Sequence, residues 1–262
     1  MKVFLLGSGS SGNAALVEHE GHRIFVDAGI GPKRAALTLG SMGVDLLPRA
    51  ADAIVITHEH DDHVAKLESL ARALKAPVYL HRGLHVPRVR ARFPFVATQV
   101  DDRYQVGPFS VRTMRVPHDV TQVALRIEAG RSALGWVTDM GHVPASLVAF
   151  FEGCHTVLLE ANYDRAMLDA GPYPARLRSR VGGPLGHLDN EDSAELAARL
   201  EREGVERIVL GHLSAVNNTP ERALRAVRRR AQKLLLDVIP HAGTAQFEVG
   251  SARRAVQLAL FA

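Results

Sequence analysis

Thr57-His58-Glu59-His60-Asp61-Asp62-His63 puts three imidazoles and three carboxylates into seven consecutive positions. The stretch follows the apolar run Ala53–Ile56, which reads as a buried strand, and precedes the amphipathic segment Val64–Leu74, which reads as a helix. A lone histidine at a strand end is usually a satisfied core residue. Three of them beside three carboxylates would cost far too much to bury without a cation. His58 and His60, two positions apart in extended chain, point to the same side and can share one metal ion. Asp62 and His63 enter the helical turn that follows and can serve a second ion a few ångströms away. Cys154 is the only cysteine, so a cysteine-type structural zinc site is excluded. Nitrogen and oxygen ligands that leave positions open for water suit a catalytic site.

The remaining ligands are expected as isolated His or Asp residues at strand ends. His118 closes the run Ser110–Val116, Asp139 follows Ala133–Val137, and His212 follows Arg207–Leu210. With His58, His60, Asp62 and His63 they supply seven ligands for two metals, Asp139 being the natural bridge. An internal echo supports their convergence. Phe25-Val26-Asp27-Ala28-Gly29 resembles Val137-Thr138-Asp139-Met140-Gly141, and Asp52–His58 resembles Glu206–His212. The expectation is one domain over residues 1–262, made of two similar αβ halves that deliver Asp and His to a shared cleft.

Elsewhere short apolar runs alternate with segments of 3.6-residue period. Strands are expected at Lys2–Leu6, Ala14–Val17, Arg23–Val26, Pro77–Leu80, Val123–Ile127, Thr156–Leu159 and Leu234–Ile239 as well as those above. Helices are expected at Pro32–Met42, Val64–Leu74, Pro144–Phe151, Glu191–Glu203 and Pro220–Ala231. The fold class is α/β (α+β), with helices covering sheets.

A hydrophobic fraction of 47% and a charged fraction of 23% exclude intrinsic disorder and collagen-like repeats. No run approaches the roughly 18 to 20 apolar residues that span a bilayer. The apolar start Met1–Leu6 stops at Gly7, too soon for a secretory core, so a cytoplasmic protein with no membrane partner is expected. The net charge of +4 permits a polyanionic partner. Arg176, Arg178 and Arg180 form one basic cluster. Arg222, Arg225 and Arg229 share a helix face and offer a second track for a phosphate backbone. Oligomeric state is not legible.

Gly7-x-Gly9-x-x-Gly12 matches a dinucleotide-binding fingerprint in form. That fingerprint must open a crossover helix. The few residues from Asn13 to Gly21 leave no room for one. The glycines are read instead as a loop at the cleft rim, where Ser10 and Asn13 can meet a phosphate.

In order along the chain, Asp27, the H-x-H-x-D-H run of His58–His63, His118, Asp139 and His212 look like the five motifs of the metallo-β-lactamase-fold hydrolases. The resemblance implies a four-layer αβ/βα sandwich with the metals at one edge between the sheets. It assigns His58, His60 and His118 to one ion, Asp62, His63 and His212 to the other, and Asp139 to both. Asp27 is similar to the family's aspartate that orients a ligating histidine. Further stretches resemble the YycJ (WalJ) branch of the superfamily: Leu6–Ala14, Leu159–Asp164, Gly171–Pro174, Gly186–Leu188, His212–Ser214 and Asn217–Glu221. That branch implies nucleic-acid hydrolysis, with a 5′-to-3′ DNA exonuclease activity, and sets Ser214, Asn217 and Asn218 beside Ser10 and Asn13 as candidate substrate contacts. Ala161, Tyr163 and Asp189 depart from the branch's pattern. The 73 positions from Asp139 to His212 leave no room for the cap domain of the β-CASP nucleases.

Two divalent ions, zinc first and manganese second on ligand chemistry, would lower the pKa of a water between them toward about 7 and yield hydroxide. The expected catalytic residues are Asp62, which holds a metal, His187 and Glu160. An alkoxide leaving group needs a proton. His187, just before the Glu191–Glu203 helix, is the expected general acid, and Glu160 at the end of Val157–Leu159 its carboxylate partner. The competing reading is a hydrolase of a small substrate: a cyclic phosphodiester, thioester, lactone or β-lactam. A lactam or ester enzyme is not expected to need that pair.

Overall fold

The computed structural model describes residues 1–86 and 93–250, and the backbone of 257–259. Its first sheet contains β1 (Lys2–Gly7), β2 (Ala14–His19), β3 (His22–Val26), β4 (Ala53–Val55), β5 (Val78–His81), β6 (Phe95–Thr98), β14 (Thr244–Glu248) and β15 (Gln257–Ala259). The second contains β7 (Asp102–Val106), β8 (Phe109–Val116), β9 (Gln122–Ala129), β10 (Ser132–Val137), β11 (Thr156–Glu160), β12 (Arg207–Gly211) and β13 (Leu235–Val238). The strand orders are β15-β14-β1-β2-β3-β4-β5-β6 and β13-β12-β11-β10-β9-β8-β7. The helices are α1 (Pro32–Ser41), α2 (Asp61–Val64), α3 (Leu67–Leu74), α4 (Leu147–Phe150), α5 (Arg165–Ala170), α6 (Ala175–Val181), α7 (Asn190–Arg202) and α8 (Pro220–Arg230).

Three apolar layers follow from strands that bury both faces. In β1, Val3 and Leu5 meet the other sheet, while Phe4 and Leu6 meet the helices. In β12, Val209 faces the first sheet, and Ile208 and Leu210 face outward to a helix layer. The central layer joins the sheets through Ile24, Val55, Phe109, Leu125, Trp136 and Leu158. Leu39 of α1 with Leu67 and Leu70 of α3 cover one outer face. Ala197 and Leu200 of α7 with Ala223 and Val227 of α8 cover the other. The result is helix, sheet, sheet, helix: the four-layer αβ/βα sandwich.

The order of pairings recurs in the two sheets. From β1 to β6 it runs antiparallel, antiparallel, then three times parallel. From β8 to β13 it is the same. Asp27 after β3 and Asp139 after β10 occupy equivalent places, and both take left-handed backbone, at φ 62° and 58°. The other half of the sequence echo is out of step. His58 follows the fourth strand of its sheet repeat, whereas His212 follows the fifth strand of the other. The strand equivalent to β12 is β5, which ends in His81.

The expected Val64–Leu74 helix is broken at Lys66, so that α2 carries the metal-type residues and α3 the apolar stripe. The Pro144–Phe151 helix contracts to the single turn α4. Gly7–Gly12 is the loop of an antiparallel hairpin, with Gly9 at φ 97° and Gly12 at φ 126° and Gly12 N–H donating to Gly9 O at 3.0 Å.

Candidate metal centre

The expected ligands meet where parallel strands end. A strand end exposes backbone groups that no ladder bond uses, and side chains there can turn across the edge between the sheets. Asp27 leaves β3, Thr57 and His58 leave β4, and Asp139 leaves β10. Glu160 ends β11 and His212 leaves β12. Asp27 is the hinge of the first half. It is 1% exposed, and its carboxylate accepts from Thr57 N–H at 2.8 Å and from the Thr57 hydroxyl. Its Oδ2 lies 2.8 Å from His63 Nδ1, which turns His63 Nε2 toward Asp139 Oδ2 at 3.3 Å and Asp62 Oδ2 at 3.7 Å.

The side chains group as two overlapping clusters. His58, His60 and His118 offer ligand atoms within 4.8 Å of one another, and so do Asp62, His63 and His212. Asp139 joins both sides: it groups with His58 and His63, and again with Glu160, His187 and His212. The fit to cations is tested by the buried atoms at the centre. His58 Nε2, Asp139 Oδ2 and His212 Nε2 are buried and have no hydrogen-bond partner. An unsatisfied buried polar atom costs about 1–3 kcal/mol. Three such atoms at one spot are accounted for if each has a lone pair aimed at an ion. The all-N/O donor set suits divalent zinc or manganese.

The candidate ligand histidines are held through their other nitrogens. His118 Nδ1 donates to Gly186 O at 3.0 Å. His212 Nδ1 lies 2.9 Å from Glu160 Oε1. His60 Nε2 lies 3.1 Å from Asp119 Oδ1, and Asp119 Oδ2 is in turn gripped by Arg180 of α6 at 2.8 Å. Such outer partners fix the tautomer and the ring orientation. Sequence reasoning missed Asp119 and read Arg180 only as part of a basic cluster. The one signal was that Asp119 adjoins His118; Arg180 lies 61 positions away.

His187 comes to the same place from the segment before α7. Its Nδ1 is 2.8 Å from Glu160 Oε1. Glu160 is fully buried, and its Oε2 also accepts from Met140 N–H and Leu188 N–H. Burial pushes Glu160 upward, but His187 and His212 outweigh it and take its pKa down to about 2. Burial pulls His187 down, yet the Glu160 carboxylate raises it above the ordinary histidine value. For Asp62, burial raises the carboxyl, and the nearby imidazoles of His212 and His63 bring the net shift below the usual carboxylate value.

A cavity of about 320 Å³ opens over the cluster. Ser10, Asp62, Asp139, His187, His212 and Ser214 line it, with Asn162, Tyr173 and Arg180 on its walls. Three of the expected substrate contacts stand elsewhere. Asn13 is buried and donates to Gly9 O and Asp62 Oδ2, so it braces the loop and a ligand. Asn218 is buried against Asn190 and Ala161 O, tying α7 to the end of β11. Asn217 is fully buried beside Gly171. Three of the α8 arginines are also spoken for. Arg222 pairs with Asp164 at 3.1 Å, Arg229 with Glu191, and Arg230 with Glu191 and Glu195.

The profile of the family described as a beta-lactamase superfamily domain matches residues 22–213, the span that holds every cluster residue. The chain belongs to the metallo-β-lactamase superfamily, in its YycJ (WalJ)-like branch. It is 32% identical over 233 residues to the exodeoxyribonuclease WalJ of Streptococcus pneumoniae serotype 2, covering 85% of each chain. It is 29% identical over 230 residues to the exodeoxyribonuclease YycJ of Bacillus anthracis, covering 85% of this chain and 86% of that one. The crystal structure of the metallo-β-lactamase fold protein YhfI from Bacillus subtilis superposes with a TM-score of 0.74 at 18% identity, over 94% of this chain and 99% of that one. The protein is a metal-dependent hydrolase of that fold.

Proposed function

We propose that this enzyme degrades DNA from a 5′ end by hydrolysing phosphodiester bonds, with His187 as general acid. One observation carries the reading: His187 Nδ1 sits 2.8 Å from a fully buried Glu160 while the ring lines the cavity over the metal cluster. An expelled alkoxide needs a proton donor held this way, whereas the thiolate of a thioester leaves without one. The names of the two bacterial relatives support DNA as the substrate.

In this reading His58, His60 and His118 hold one divalent ion, Asp62, His63 and His212 the other, and Asp139 both. Zinc is the first expectation and manganese the second. When bound, the pair supplies a nucleophile from water at neutral pH and offsets the negative charge that develops on the reacting phosphate. The protein's own groups do the rest. Asp27 keeps His63 in the tautomer that presents Nε2, and Asn13 holds Asp62 in place. Glu160 takes the Nδ1 proton of His187 as a hydrogen bond, which leaves Nε2 to face the cavity and donate to the leaving oxygen. Once that proton is given up, Glu160 still holds the neutral ring at Nδ1, ready to be recharged. Ser10 and Ser214 stand at the rim as contacts for the neighbouring phosphate. The enzyme acts as one domain of two αβ halves, residues 1–262, in the cytoplasm. Among the described residues no helix is long and apolar enough to cross a membrane.

The test is purified protein with zinc or manganese on single- and double-stranded DNA and RNA, labelled at either end. Release of the 5′ label as mononucleotide from DNA, abolished by chelator, is expected. Cleavage of small esters alone, with every oligonucleotide intact, would overturn the reading.

A further inference from the structure

A second cavity lies behind the rim loop of the catalytic one. It is an open groove of about 530 Å³ between the start of α1 and the α2–α3 corner, with Lys33, Arg34 and Lys66 at its edge. Among the described residues none of these cations has a carboxylate or hydrogen-bond partner, and no acidic residue lines the groove. This sets them apart from Arg222, Arg229 and Arg230 of α8 and from Arg180, each of which is matched to an acid. The three unpaired cations of the groove stand beside the Ser11 and Ser69 hydroxyls and the uncapped first turn of α1.

The groove adjoins the catalytic cavity. Ser10 lines one and its neighbour Ser11 the other. Gly29 forms the wall between them: a Cβ there would come within 1.8 Å of Asp62 O, so the groove and a metal-type residue are separated by one thickness of backbone. A strand that reaches the metal cluster over the Ser10–Ser11 loop has phosphates to place on the far side. Ile30 and the exposed Leu37 give the groove an apolar floor with no aromatic ring, which favours contact with sugar and backbone over base stacking.

We propose that this groove binds the phosphodiester backbone of the DNA substrate beyond the scissile bond, through Lys33, Arg34 and Lys66. The inference rests on the nuclease reading and deepens it. Recognition of this kind is electrostatic and indifferent to sequence.

The experiment compares wild type with the variant Lys33→Glu/Arg34→Glu/Lys66→Glu, using zinc-loaded protein. Three rates are read: hydrolysis of a labelled single-stranded oligonucleotide, its dependence on salt, and hydrolysis of bis(p-nitrophenyl) phosphate. The variant is expected to lose at least 10-fold in kcat/KM on the oligonucleotide, mainly through KM. The small diester, which cannot reach the groove, is hydrolysed at the wild-type rate. The log–log salt slope becomes shallower by about 0.7 for each phosphate that the variant no longer neutralises. Equal oligonucleotide rates and equal salt slopes in the two proteins would overturn the groove. If wild type hydrolyses the small diester and spares all DNA, the nuclease reading itself fails. A thermal melt separates loss of fold from loss of binding, and the single variants Lys33→Ala, Arg34→Ala and Lys66→Ala provide smaller losses in the same direction should the triple variant not fold.

Discussion

Glu160 and His187 are joined at 2.8 Å, and the same carboxylate oxygen lies 2.9 Å from His212 Nδ1. One buried group thus holds both His212, a candidate metal ligand, and His187, the proposed proton donor. Their functions part when the leaving group is varied. His187→Ala is expected to lower turnover on DNA by about 10²–10⁴-fold and on bis(p-nitrophenyl) phosphate far less, because nitrophenolate leaves with little protonation. Equal losses on both substrates would remove the general-acid role.

The same pair sets a pH dependence. The donor must be protonated, so activity on DNA falls as pH rises through the pKa of His187, which Glu160 holds above the ordinary value. Glu160→Gln removes the charge that raises it. The alkaline fall in kcat on DNA should then begin at lower pH than in wild type. An unchanged alkaline limb would show that another group titrates.

How much of this was legible in the sequence follows from distance along the chain. The H-x-H-x-D-H run is compact, so its ligands declared themselves, and His118, Asp139 and His212 stood out as polar residues at the ends of apolar runs. Strands buried on both faces, such as β11 and β12, were equally plain. The edge strands were not. In β6 three of four side chains are exposed, and β7 reads Asp-Arg-Tyr-Gln-Val, so neither carries an apolar pattern. The short helices α5 and α6 bury a single residue between them, Leu168, and gave no periodic signal. Matching His58 to His212 by their flanking residues counted similar letters, whereas topology counts strands, and the two differ by one. Asn13 was expected to meet substrate from the glycine loop, and Asn217 and Asn218 from the branch's motifs. All three are buried, and the amides of Asn13 and Asn218 are used to fasten loops.

Metal uptake should release protons. Burial alone would discharge His63, but Asp139 and Asp27 raise its pKa to about 10, and Asp139 with Asp62 and Glu160 raise that of His212 well above normal against its own burial. In the metal-stripped protein both rings carry an extra proton at neutral pH. Ligation needs Nε2 free, so each ion bound displaces protons, and affinity rises with pH up to about 10, by roughly a decade per pH unit for each proton released. Calorimetric titration with zinc in buffers of different ionisation enthalpy reads the number directly. The same raised pKa acts on stability with a fixed sign. Its contribution to the stripped fold is complete below the unfolded value of about 6.5 and is lost as pH climbs through about 10. Thermal melts of stripped protein should therefore fall across that window, and a flat profile would contradict the assignment.

Asp119 should act as a positioning residue for His60. Its carboxylate stands 3.1 Å from His60 Nε2 and is pinned by Arg180 at 2.8 Å. Asp119→Ala is expected to weaken one of the two ions by about 10–100-fold and leave the other unaltered, with Asp119→Asn intermediate and Arg180→Ala weaker in the same direction. Competition with a chromophoric chelator reads both affinities, and the visible spectrum of the cobalt-substituted protein reports the altered site. Two unchanged affinities would reduce Asp119 to a surface ion pair.

Gly29 and Gly40 should respond to alanine with opposite signs. At Gly29 a Cβ would meet Asp62 O at 1.8 Å and Asn13 N at 2.6 Å, both backbone atoms that cannot rotate aside. The strand β3 exit and the metal-bearing turn α2 must then separate. Overpacking of this kind costs about 1–3 kcal/mol, and here it also displaces Asp62. Gly40 lies in α1 with nothing within 4 Å of a built Cβ. Alanine there stiffens the unfolded chain and favours the helix, which is worth about 0.4–1 kcal/mol of stabilisation. Denaturant melts of the two variants, with zinc content measured on the same samples, separate the effects. Gly29→Ala is expected to melt earlier and to hold less zinc, and Gly40→Ala to melt later with both ions retained. Wild-type zinc content in Gly29→Ala would mean that the packing of β3 against α2 does not set the position of the ligand.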